Sequence, residues 1–249
     1  MSVATGSGWA FFKIALIVTG KGEEAFLPNL FKALVAEGHC VFKVTDRVGQ
    51  LSQITSKPRV AKMVGKGSFL TTRDQDIGLY ARRCLQHSRF DFVILVDDLE
   101  HARREHAAAI YGRYRRALDV MLDRPGLRAK ASVHFLVNML EAYFFADPAA
   151  INAALATDLA EPIGDVEDIR HPKGELGRIH PGYDEIDHGR KIVQSLDLRH
   201  VLSRPETCPS LRTLVGWCSK AIGRTHDEVY QLAFGVYSPL TGPQIGDLP

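Results

Sequence analysis

The chain has 249 residues, 45% hydrophobic and 24% charged, which excludes a disordered or low-complexity polymer and fits a globular protein with a full core. Its formal charge of +2 is close to neutral, so no whole-molecule field draws it to nucleic acid or membrane, although a local basic patch stays open. Cys40, Cys84, Cys208 and Cys218 form no Cys-x-x-Cys pair, which points to buried thiols in a reducing cytoplasm rather than to disulfides or zinc. The apolar stretch over residues 9–18 is broken by Lys13 and lacks a basic leader. It is too short to span a bilayer and reads as a strand, so no membrane partner is expected.

Residues 13–19 form the first expected strand, and Gly20-Lys21-Gly22 a tight turn. Glu23 opens a helix to about residue 37, with Phe26, Leu27, Leu30, Phe31, Leu34 and Val35 at helical spacing and Gly38 as its stop. Residues 41–44 form a second strand. Residues 46–72, rich in Lys, Arg, Gln, Ser and Gly, read as a long basic excursion holding a short helix near 59–64. A helix over 74–87 leads into a strand over 90–96, and a long helix over 100–122 ends at Pro125-Gly126. A strand over 131–137 and a short aromatic helix over 139–146, ended by Asp147-Pro148, complete the alternation. That order predicts an α/β fold, a doubly wound and mainly parallel sheet over residues 1–150. Residues 151–249 read as a mostly helical, partly irregular C-terminal extension packed on it, with no strong periodic element over 161–188.

The chemistry centres on Phe90-Asp91-Phe92-Val93-Ile94-Leu95-Val96-Asp97-Asp98-Leu99-Glu100. A strand buried on both faces ends there in a cluster of carboxylates, where open parallel sheets bind ligands. If the first strand pairs with both the second and the third, Gly20-Lys21-Gly22-Glu23-Glu24 meets Asp97-Asp98-Leu99-Glu100, and five carboxylates share one mouth. Clustered acids raise one another's pKa unless a cation neutralises them. Hard oxygen donors without thiols favour Mg²⁺ or Mn²⁺, held by Asp97, Asp98 and Glu100. A plainer reading stays open: Glu23, Glu24 and Glu100 meet helix dipoles, and Asp98 is an N-cap.

Lys21, Arg103 and Arg104 lie where they would contact a polyanion, and Arg47, Lys57, Arg59, Lys62, Lys66 and Arg73 offer backbone contacts to nucleic acid. Solvated surface explains those cations as well. Gly20-Lys21-Gly22 is no Walker loop, and no nucleophile elbow is present. His134, alternating with Val133 and Phe135, reads as a core histidine.

Four blocks resemble the prokaryotic family catalogued as domain of unknown function 4276. They are Ile17-Val18-Thr19-Gly20-Lys21-Gly22-Glu23-Glu24-Ala25-Phe26-Leu27, Ile94-Leu95-Val96-Asp97-Asp98, Asn138-Met139-Leu140-Glu141-Ala142-Tyr143-Phe144-Phe145-Ala146-Asp147, and a weaker tail of Pro172-Lys173, His188-Gly189 and Cys208-Pro209. The resemblance implies a Toprim-like fold and a metal-dependent, nuclease-type phosphodiester chemistry in a prokaryotic defence setting. It also implies two departures. Thr19 stands where Toprim enzymes carry a glutamate, and Leu99 where a second aspartate would follow Asp97. A threonine cannot accept a proton at neutral pH as a carboxylate does, so Glu23, Glu24 or Glu141 would have to supply catalysis. The alternative is a catalytically silent module that acts through a partner such as an ATPase or another protein.

Overall fold

The computed structural model describes residues 10–48 and 72–224. Most of the basic excursion, with its expected helix and Lys57, Arg59, Lys62 and Lys66, therefore lies outside the described residues.

Four strands, β1 (Phe12–Val18), β2 (Cys40–Arg47), β3 (Phe92–Leu99) and β4 (Ala131–Val137), form an all-parallel sheet of order β2-β1-β3-β4. The central strands are apolar without interruption because helices cover both faces. On one face Ile14, Leu16, Val18, Ile94 and Val96 pack with α1 (Lys21–Leu30) and with helices from the second half of the chain. On the other, Ala15, Ile17, Val93 and Leu95 pack with α3 (Thr72–Leu85) and α4 (Ala107–Met121). This two-sided covering is the doubly wound α/β arrangement.

Several element boundaries depart from expectation for local reasons. The helix expected over 23–37 is broken at Phe31 into α1 and α2 (Lys32–Ala36). Pro28 inside α1 lacks an amide donor and crowds the preceding turn, which weakens α1 in the turn before the break. The long helix expected from residue 100 opens instead with a 3-10 turn over His101–His106 before α4 begins. Pro125 does not only end a helix: it starts the short α5 (Pro125–Arg128). Asp147 likewise starts an element, its Oδ1 accepting the Ala150 amide at 3.3 Å to cap α6 (Pro148–Leu155).

The most consequential shift is in β3. Its pairing with β4 continues through Asp97↔Phe135, Asp98↔Leu136 and Leu99↔Val137, so the strand carries both aspartates instead of stopping before them.

The second half adds α7 (Pro172–Ile179), α8 (Asp187–Ser195), α9 (Leu198–Ser203) and α10 (Pro209–Ala221). α10 lies against β4, and Trp217 meets Phe92 edge-on at 5.8 Å. One hydrophobic cluster runs from Ile14 to Ile222, so residues on both sides of position 150 share a core. All four cysteines are buried and free. His134 is fully buried with Nε2 at 2.7 Å from Ser132 Oγ, and burial holds its pKa down to about 3. No described helix is long and apolar enough to cross a membrane.

Candidate functional site at the carboxyl edge of the sheet

Successive residues on a strand point to opposite faces. Because β3 runs to Leu99, Asp97 and Asp98 part company. Asp97 turns with Val93 and Leu95 towards α4, and Asp98 with Ile94 and Val96 towards α1.

Asp97 is 0% exposed and its carboxylate is fully engaged. Arg103 Nη2 donates to Oδ2 at 2.6 Å and Nη1 to Oδ1 at 3.4 Å. Thr19 Oγ1 donates to Oδ1 at 2.7 Å and Tyr114 Oη to Oδ2 at 3.0 Å. Arg103 also donates to the Asp98 carbonyl at 2.7 Å. Burial works to lower the Arg103 pKa, but the Asp97 charge and its hydrogen bonds outweigh it and hold the guanidinium charged. Asp97, expected to share a cation with Asp98, has one inside the protein: Arg103, whose guanidinium is not among the groups that line the cleft. The Thr19 hydroxyl also accepts the Asp98 amide at 3.3 Å, so this residue pins the ends of β1 and β3 together.

Asp98 enters a different setting. Both it and Glu23, in the first turn of α1, are buried, 8% and 2% exposed, and Asp98 Oδ1 and Glu23 Oε2 have no hydrogen-bond partner. The two carboxylates converge over Gly20. A methyl there would run into Glu23 Oε2 and lie 3.3 Å from Asp98 Oδ2, so the absence of a side chain makes the convergence possible. Burial above all, then the Glu23 charge and hydrogen bond, drives the Asp98 pKa far up. Burial raises that of Glu23, opposed by its hydrogen bond to Asp98. Two carboxylates this close disfavour one another's charged form unless a cation stands between them.

Glu141 reaches the same region from the turn after β4. Asn138 and Met139 both have positive φ there, 57° and 74°, a strained turn of the kind that collects at working sites. Glu141 is 4% exposed, and burial pushes its pKa up to about 7 against the pull of Lys173. Lys173 Nζ lies 3.4 Å from Glu141 Oε1 and 2.9 Å from Glu185 Oε2. Sequence reasoning misses Glu185 and names Lys173 only within the resembling Pro172-Lys173 block, with no role at the site. They fall in the stretch without periodicity, and the one available signal was Pro172 as a helix start that places a lysine in a first turn.

The remaining expected residues divide. Lys21 and Glu100 line the cleft, which encloses about 340 Å³ together with Gly20, Glu23, Asp98 and Lys173. Glu24 points outward to Arg47, with 2.7 Å between Oε2 and Nε. Arg104 pairs with the exposed Asp168 at 3.0 Å.

The donor set suits a hard divalent ion: the available atoms are carboxylate oxygens, and two are buried without partners. Among the described residues no group of three Asp, Glu, His or Cys side chains converges on one metal position. Mg²⁺, however, is commonly held by one or two carboxylates and keeps its remaining waters, which the Glu23–Asp98 pair fits.

No curated protein and no solved structure matches the chain. The model of the family described as Domain of unknown function (DUF4276) matches residues 18–217, a span that holds the whole cleft, and the chain belongs to that family.

Proposed function

We propose that this protein is a Toprim-like phosphodiester-processing protein of nuclease type, dependent on Mg²⁺ or Mn²⁺. The single observation that carries the reading is the Glu23–Asp98 pair. Two buried carboxylates, each with an oxygen lacking a partner, open on a cleft at the carboxyl edge of a parallel sheet. Burying like charges together gains nothing for folding, and a cation is the economical way to satisfy them. Glu23 and Asp98 would hold the ion, with Glu100 at the rim. A bound ion of this kind polarises a phosphate oxygen and lowers the pKa of water.

The chain's own groups supply the rest. Glu141, with a pKa of about 7, accepts a proton at its carboxylate near neutral pH. Lys21 and Arg47 at the cleft edge attract the phosphate backbone of a nucleic acid. A cytoplasmic setting accords with four free buried thiols.

The test is plasmid and RNA cleavage with Mg²⁺ or Mn²⁺, comparing wild type with Asp98→Asn, Glu23→Gln and Glu141→Gln. Cleavage lost in the first two and slowed roughly 10²–10⁴-fold in the third is expected. A second reading, a silent binding module that docks on an ATPase or other partner protein, is favoured by one observation: Arg103 and Thr19 have taken Asp97 out of the cleft. That reading prevails if wild type neither cuts nor gives heat with Mn²⁺.

A further inference from the structure

Taking the cleft as a divalent-ion site leaves Lys173 to be explained. It enters from the second half of the chain and sets its ammonium against Glu185 at 2.9 Å and Glu141 at 3.4 Å. It stands directly after Pro172 in the first turn of α7, the helix end that favours anions over cations. Helix formation therefore does not account for a lysine at this place.

The surrounding carboxylates do. Burial works to lower the Lys173 pKa, but Glu141 first, then Glu185 and Asp98, hold it raised, and its charge reaches Glu23 in turn. One ammonium thus faces Glu23, Asp98, Glu141 and Glu185. It satisfies only the last two. Glu23 Oε2 and Asp98 Oδ1 remain without partners, and Glu141 is drawn towards the lysine.

We propose that Lys173 is a tethered counter-cation that competes with the divalent ion for this cleft, so that ion binding releases it from Glu141 and Glu141 from it. The inference rests on the ion-site reading above. Two cations held in one cleft repel each other, and the coupling is reciprocal: what the lysine's charge costs the ion, the ion's charge costs the lysine's hold on Glu141 and Glu185.

The experiment is Mn²⁺ titration by calorimetry at fixed ionic strength on wild type, Lys173→Met, Lys173→Gln and Lys173→Arg, with Asp98→Asn as the site control. Lys173 is partly exposed, so neutral replacements leave no large buried hole. Both neutral variants are expected to bind Mn²⁺ at least about tenfold tighter than wild type, with Lys173→Arg close to wild type. Mn²⁺ should also speed acylation of the Lys173 amine in wild type. Equal or weaker binding by the neutral variants, with wild type still binding, overturns the competition and leaves the ion site standing. No Mn²⁺ heat in any variant overturns both.

Discussion

The buried pair of Asp97 and Arg103 gives the sharpest test of how this edge of the sheet is built. Asp97 is wholly buried and its two oxygens accept hydrogen bonds from Arg103, Thr19 and Tyr114. Arg103→Met leaves that carboxylate with two hydroxyl donors and no counter-charge. Removing one partner of a buried pair costs about 3–5 kcal/mol, because the other charge stays buried without compensation. Against a total stability of roughly 5–15 kcal/mol, that is a large fraction. Asp97→Asn strands the guanidinium and should cost a similar amount. The double variant carries neither charge, and the amide still reaches Thr19 and Tyr114. It should therefore cost less than the two single changes added together, by about 0.5–3 kcal/mol of coupling. Urea unfolding followed by circular dichroism measures all three against wild type. Folded Asp97→Asn should also keep its Mn²⁺ binding within a few-fold of wild type. If instead it costs under about 1 kcal/mol and abolishes Mn²⁺ heat, Asp97 is an ion ligand and the parity argument for β3 fails.

Three further outcomes follow from the same geometry. Gly20→Ala should drive Glu23 away from Asp98, abolishing Mn²⁺ heat while moving stability by no more than about 1 kcal/mol; retained binding would show that the pair does not need the bare α-carbon. Gly78→Ala, far from the cleft, sets a methyl 2.5 Å from the Ala117 carbonyl and 2.7 Å from Met121 Cβ, and should cost roughly 1–3 kcal/mol in thermal melts although alanine is the better helix former. Glu141 has its pKa raised from 4.5 to about 7, so the native state keeps a proton that the unfolded chain gives up, and stability falls as pH rises from about 4.5 to 7. Glu141→Gln removes this dependence, so its stability relative to wild type should climb across that window by on the order of 3 kcal/mol. Urea midpoints at pH 5 and 8 measure the difference, which also cancels the opposite contribution of His134; a difference independent of pH refutes the assignment.

Much of this fold is legible because burial leaves a local trace. The strand at 131–137 is recovered to the residue, and the apolar runs of β1 and β3 announce a sheet covered on both faces. Capping chemistry was legible but misread at Asp147-Pro148, where an aspartate before a proline starts a helix more naturally than it stops one. The pairing across the cleft was not legible. Glu185 and Lys173 belong to segments without periodicity, and only the tertiary fold brings them to Glu141.

Asp97 and Asp98 show why charge alone misleads. Side by side in the chain they look like one acidic tip, and the reading that ends the strand at Val96 places both in a loop with one destination. Leu99 carries the contrary signal: it is a fully buried apolar residue after two acids, which makes sense only if the strand continues and its alternation persists. Once it does, the two carboxylates must face opposite layers, and their fates depend on what each layer offers. The layer of α4 offers Arg103, Thr19 and Tyr114 and leaves nothing for a ligand. The layer of α1 offers another carboxylate and a glycine, and leaves two oxygens without partners. A charge pattern says that compensation is needed; strand parity decides which carboxylate finds it inside the protein and which must find it outside.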